Sequence, residues 1–312
     1  VDALTVRQAA GIILARRVRE LLSHERGARR GEDPEAVHQM RVGTRRLRAA
    51  LRVFASYVRP KKRARRGLPW LARRLGRVRD HDVIIALLVE RHLEQIHGDE
   101  GQRLEALVAR FKERRFRAHQ RLAGALKRGR YKKLRIALEE LAARPRFGGS
   151  EDDMAARLLE EGIERLGAEV SSEPAMNLPA PSAEELHALR IAFKRLRYVL
   201  DFHAEIRGVA YEVERRLTRE LQECLGELHD HDVLLGWLEE HGEWPVLHRR
   251  LAQDRARLLR RFRLLRRRWE ERTRPEPSVA PLQEPRFVSL EPAPVELRLI
   301  TPRKEVASTL IA

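Results

Sequence analysis

Two stretches of this sequence set imidazole and cationic side chains at the same spacing. His38, Arg41, Arg45, Arg46, Arg48 and Arg52 fall within DPEAVHQMRVGTRRLRAALRVF at 33–54, and His187, Arg190, Lys194, Arg195 and Arg197 within SAEELHALRIAFKRLRYVLDFH at 182–203. His38 and His187 lie 149 residues apart, as do Arg41 and Arg190. At about 100° per residue of α-helix, His38, Arg41, Arg45, Arg48 and Arg52 share an arc of roughly 80°. Met40, Gly43, Leu47, Leu51 and Phe54 take the opposite side. In the second stretch Leu189, Phe193, Leu196 and Leu200 take the apolar side. A helix that buries one face and sets a row of cations along the other, twice over, is suited to holding an anion. The arginine guanidinium is a planar fork that bonds phosphate or carboxylate oxygens two at a time. A solvated helix face explains any one arginine but not the set, since solvent needs neither arginine nor the same spacing twice. Histidine opens each stripe; as imidazolium it can bond phosphate, its pKa raised by the ligand and lowered by neighbouring arginines.

A second motif is also written twice. LGRVRDHDVIIALL at 75–88 returns as LGELHDHDVLLGWL at 225–238, 150 residues on. Two matches in the same order and nearly in register indicate internal duplication. The DHDV tetrapeptide invites a metal reading, because His and Asp are ligands for Zn, Mn or Mg and a histidine–aspartate doublet features in HD-type phosphohydrolases. On a helix, however, Asp80 and Asp82 point about 200° apart, and the wider ligand set of such enzymes is not visible. The expectation is that Asp80 and Asp230 pair with arginines of the His/Arg helices, with Asp82 and Asp232 in the same supporting role. A buried guanidinium needs such a partner. No metal and no cofactor is expected.

The elements that position these residues read as helices throughout. Residues 4–26 carry an apolar stripe of Leu4, Ile12, Ile13, Val18, Leu21 and Leu22, and Gly27 to Gly31 reads as a basic turn. The first His/Arg helix opens on Asp33–Pro34 and runs toward Pro60; the second opens on a capping box, Ser182 with Glu185. A helix over 61–79 is followed by 80–93 as a kinked continuation, then a long helix from Leu104 to about Gly129 and a short one over 131–143. PRFGGS at 145–150 reads as a linker. Helices are expected over 152–168, 209–229, 230–240 and 244–272, with a proline-bearing loop at 171–181. The fold class is thus all-α: two duplicated helical bundles, a first half at 1–145, a second at 146–274, and a Pro-rich tail at 275–312 with a β-prone run at 295–300.

A formal net charge of +18 calls for a polyanionic partner or an anionic membrane surface. No segment approaches the roughly 20 apolar residues of a spanning helix, and Arg7, Arg16 and Arg17 interrupt the short apolar run near the start. The single cysteine, Cys224, excludes an intramolecular disulfide and a cysteine-based zinc site. The reading is a soluble cytoplasmic protein without a membrane partner.

With both motifs in view, VHQMRVGTRRLRAAL, LGRVRDHDV, LHALRIAFKRLRYVL and LGELHDHDV make the chain resemble the CHAD family, the conserved histidine α-helical domain, over about residues 4–272. The resemblance implies two pseudo-symmetric helical bundles around a basic central surface or pore. It also implies binding of inorganic polyphosphate and association with polyphosphate granules. By resemblance His38, Arg41, Arg45, Arg46, Arg48, His187, Arg190, Lys194, Arg195 and Arg197 are the binding residues, with Arg52 in the same stripe. The second half departs from the first: His229 stands for Arg79, Glu227 for Arg77 and Asp201 for Arg52, so its basic surface is expected to be weaker or differently shaped. The E-x-E-x-K strand of a fused triphosphate tunnel domain does not precede the repeat.

Nucleic acid is the competing ligand, as weak, non-specific binding through the backbone alone. Single-strand binding needs stacking aromatics, which are only 5% of this chain, and Trp70, Tyr131 and Tyr198 do not interleave with the basic stripe. A metal-dependent phosphohydrolase is the competing enzyme class. There is no Gly-rich phosphate loop and no H-E-x-x-H, so a non-enzymatic binding module is expected. Homo-oligomerisation is compatible with the sequence.

Overall fold

The computed structural model describes residues 4–148 and 153–274. The proline-rich tail and its β-prone run lie outside the described residues, as do the last two residues of the PRFGGS linker. Among the described residues the chain is α-helical, with only isolated bridges at Thr5–Met154 and Val58–Phe147. In order, α1 (Val6–Ser23), α2 (Glu25–Arg30), α3 (Pro34–Val53), α4 (Lys62–Arg91), α5 (Gly98–Lys127) and α6 (Gly129–Ala143) are followed by α7 (Ala155–Ser172), α8 (Pro174–Asn177), α9 (Ala183–Arg207), α10 (Glu212–Glu240) and α11 (Pro245–Thr273).

The two His/Arg helices start where the caps require. The Asp33 carboxylate accepts from the Glu35 amide with Pro34 in the first turn, and Ser182 and Glu185 form a reciprocal capping box. α3 ends at Val53, about two turns before Pro60. The expected basic turn at 27–31 is instead helix α2, which Gly31 ends in the left-handed region at φ 75°. A side chain at Gly31 would also collide with the His119 ring. The helix breaks neither at Asp80 nor at Asp230. α4 and α10 each continue unbroken through the DHDV motif because their apolar spacing continues from Val78 to Leu88 and from Leu228 to Leu238. Tertiary burial overrides the modest helix propensity of Asp and His there. The proline-bearing loop contains the single turn α8.

α3 packs on α1 and α4, and α9 packs on α7 and α10; α3 and α9 also touch each other directly. Their apolar faces enter one core that includes Met40, Leu47, Phe54, Leu189, Phe193 and Leu200. The far ends of α4, α5, α10 and α11 build a second, separate core around Leu88, Leu107, Phe111, Leu238 and Leu247. There the buried Glu100 of α5 accepts from the amides of Val246 and Leu247 at 3.1 and 2.8 Å, capping the first turn of α11. The α3–α9 contact and the ends of these long hairpins thus join the two His/Arg helices' bundles, and α1 adds a further link through its contact with α7.

The four supporting aspartates do not act alike. Asp82, with a side chain 7% exposed, holds Arg115 of α5 at 2.8 Å, and Asp232 pairs with Arg255 of α11. These pairs fasten α4 to α5 and α10 to α11, not to the His/Arg helices. Asp80 does face Arg41, but at 4.0 Å and with a side chain 67% exposed, so it is a surface partner and not the buried one expected. Asp82→Ala and Asp232→Ala therefore strand a guanidinium and should each cost about 3–5 kcal/mol, whereas Asp80→Ala should cost no more than about 1 kcal/mol. Thermal melts of the three variants compare these losses; equal melting points would remove the distinction.

Candidate anion-binding site

The polar arcs of α3 and α9 meet where the helices touch. Arg45 has Arg41, Arg46 and Arg190 as charge neighbours, and Arg190 has Arg41 and Asp230. Lys194 is surrounded by Arg190, Arg45, Arg52 and Arg195. Burial first, and these cations second, pull Lys194 down from 10.5 to about 8. The same burial lowers Arg45, Arg190 and Arg197 from their ordinary value. The Nε atoms of all three are buried and bond no group among the described residues. Cations with unmet donors, pressed together across a helix contact, form a preorganised seat for anionic oxygens.

The remaining stripe residues flank this seam. His38 is half-buried near Arg79, Arg45 and Arg41; burial and then Arg79 lower its pKa, so unliganded it is neutral at pH 7. Its counterpart His187 faces His229, with ring centroids 4.6 Å apart and the Nδ1 atoms 3.3 Å apart. That pairing follows from the replacement of Arg79 by His229. Arg46 turns toward Glu20 of α1, 3.7 Å away, and Arg195 pairs with Glu169 of α7. Arg197 approaches Asp201 at 3.7 Å. Arg48 and Arg52 lie exposed further along α3. Burial raises the Asp230 carboxyl, Arg190 pulls it back, and the nearby charge of Asp80 raises it further.

Two features of the seam go beyond the sequence reading. Tyr198, set apart from the stripe there, belongs to it. Its ring lies under the Arg197 guanidinium at 5.6 Å, its hydroxyl is buried without a partner among the described residues, and Arg45 and Arg46 are charge neighbours. The only signal available was its place directly after Arg197. The second feature explains the L-G-x-x-x-D motif. Gly76 on α4 leaves the space in which the Arg41 guanidinium lies, since a Cβ there would stand 2.9 Å from Nη1; one turn later comes Asp80. Gly226 gives Arg190 a looser version of that arrangement, at 3.8 Å.

The DHDV motif supplies no convergent ligand set. Asp82 and Asp232 turn to arginines, and His231 Nδ1 bonds the Glu227 carbonyl at 2.8 Å. Among the described residues no three of His, Cys, Asp and Glu come together as a metal site. No helix among them is long and apolar enough to cross a membrane.

Fold and site together define an all-helical protein that sets a cationic seam between two internal helices. The family model of the CHAD domain matches residues 12–239, and the chain belongs to that family. It is similar to the crystal structure of the CHAD domain from the plant Ricinus communis, at 27% identity and a TM-score of 0.63, over 88% of this chain and 90% of that one. PptA from Streptomyces chartreusis shares the fold at 18% identity and a TM-score of 0.65, over 84% of this chain and 98% of its own. None of the curated proteins matches this chain.

Gly76→Ala isolates the role of Arg41. Alanine favours a helix interior over glycine by about 1 kcal/mol, and the crowded atom is the end of a flexible side chain, so the melting temperature should hold or rise. The displaced guanidinium should still weaken anion binding at the seam. A variant that binds as well as wild type would separate Gly76 from the site.

Proposed function

We propose that this protein binds inorganic polyphosphate along the α3–α9 seam, without cleaving it, and that it resides at polyphosphate granules in the cytoplasm. The observation that carries this reading is the crowding of the cations Arg45, Arg190 and Lys194 against one another, with the buried Nε donors of Arg45 and Arg190 unmet among the described residues. Family membership supports it. A chain that is all phosphate offers oxygens at every step and nothing that needs base readout or aromatic stacking. The seam has one aromatic ring, Tyr198, and that ring is buried.

Arg45→Ala and Arg190→Ala each remove a charge-assisted bond worth about 1.5–3 kcal/mol, so each should weaken polyphosphate binding about tenfold or more with little change in melting temperature. Titrations against polyphosphate and against duplex DNA of equal charge, at about 0.15 M salt, where the Debye length is about 8 Å, should favour polyphosphate. Tighter binding to DNA would make the protein a nucleic-acid backbone binder. Shortening of the polymer with Mg²⁺ or Mn²⁺ would make it an enzyme.

Lys194 fixes the sign of a pH effect. Its folded pKa of about 8 lies below the unfolded value, so affinity should fall as pH rises through about 8, and binding above that pH should take up a proton. Stability of the free protein moves the other way, rising from about pH 8 toward 10.5 because the unfolded chain holds the proton longer. Lys194→Arg keeps its charge and should flatten the affinity profile from about pH 7 to pH 9. An unchanged profile would take Lys194 out of the binding surface.

A further inference from the structure

The 149-residue offset that relates Arg48 to Arg197 and Arg52 to Asp201 also relates two surface grooves. One, of about 470 Å³, lies between the end of α3 and the start of α4 and is lined by Arg48, Arg52, Arg59 and Arg65 beside Leu51 and Leu68. The other, of about 680 Å³, lies between the end of α9 and the start of α10, beside α1. Arg197, Asp201, Ala204 and Val209 in its walls stand 149 residues after Arg48, Arg52, Ala55 and Pro60 in the walls of the first.

Charge separates the two. In the second groove several of the arginines are answered by carboxylates: Arg197 by Asp201 at 3.7 Å, Arg215 by Glu212 at 2.5 Å, and Arg17 by Glu205. No carboxylate lines the first. Among the described residues none of its four arginines is in an ion pair, and Arg48 has Arg52 and Arg73 as cationic neighbours. The groove opens beside the first turn of α4, where the helix dipole adds positive potential. It is also continuous with the seam. Arg52 is a charge neighbour of Lys194, as Arg45 is, and the seven residues from Arg45 to Arg52 span about 10 Å of helix.

We infer that the groove of Arg48, Arg52, Arg59 and Arg65 is a second phosphate-binding site, which takes the length of a linear polyphosphate chain that leaves the seam. The bound polymer then runs out over the first half of the molecule and not over the second. This rests on the polyphosphate reading of the seam. Exposed guanidinium forks bond successive phosphate oxygens, while their aliphatic stems lie along the apolar floor.

The test is a comparison of chain lengths. In Arg59→Glu/Arg65→Glu, long-chain polyphosphate should bind about tenfold or more weakly, and tripolyphosphate, short enough for the seam alone, should bind within about twofold of wild type. Arg16→Glu/Arg219→Glu places the same change in net charge in the second groove and should alter long-chain affinity much less. Circular dichroism of both double variants confirms the fold, and the single variant Arg59→Glu, at an exposed position before α4, carries the test if the double variant misfolds. Equal losses in the two grooves, or equal losses for long and short chains, would reduce the effect to net charge and overturn the second site. Failure of wild type to bind either polymer would overturn the seam reading and this site together.

Discussion

Like charges pressed together at a helix contact are the constraint on which the rest of this structure depends. Arg45, Arg190 and Lys194 stand where α3 meets α9, and burial first, then the neighbouring cations, pull Lys194 down to about 8. The opposite faces of the same helices offset that crowding. Met40, Leu47, Phe54, Leu189, Phe193 and Leu200 are each at most 1% exposed. Burying an aliphatic or aromatic side chain contributes about 1.5–3 kcal/mol. The seam is thus held closed from behind, by packing, while its front stays electrostatically unsatisfied. An anion supplies the missing half of the interaction.

Such a surface needs a rigid frame, and the ion pairs supply it away from the seam. Asp82–Arg115 and Asp232–Arg255 fasten each long helix to the one after it, and Glu100 caps α11 from α5. The buried Arg17 ties α1 to α9 through Glu205. Carboxylates are therefore abundant around the frame but sparse where the ligand would lie. Asp80, Asp230 and Asp201 are among the exceptions, each beside an arginine of the seam. Neutralising every arginine would have given a more stable protein with nothing left to bind phosphate.

Much of this was legible in the sequence because helix periodicity is a local property. The apolar and cationic arcs of 33–54 and 182–203, their caps and the all-α class follow from spacing alone. What spacing cannot give is the partner of a side chain on another helix. Asp80 and Asp82 are two residues apart, yet one faces Arg41 near solvent and the other is buried against Arg115, thirty-three positions away. Tyr198 looked like an isolated aromatic because its arginine neighbours come partly from α3. The space above Gly76 exists only once α3 lies across α4. The unbroken run of α4 through Asp80 was likewise decided by the burial of its far end in the second core.

The burial of the seam's arginines bears most directly on the class of partner. Net charge of +18 attracts any polyanion through counterion release, and that attraction does not discriminate. Discrimination has to come from shape. Arg45 and Arg190 sit half-buried where α3 and α9 touch, and Tyr198 is a charge neighbour of both. A duplex carries its phosphates on the outside of a wide cylinder and meets half-buried donors only along their rim. On the proposed reading a single linear chain of phosphates, with no bases to accommodate, brings its oxygens closer to the buried Nε donors. The exposed Arg48 and Arg52 are open to either polymer, so it is the buried part of the stripe that favours the thinner one.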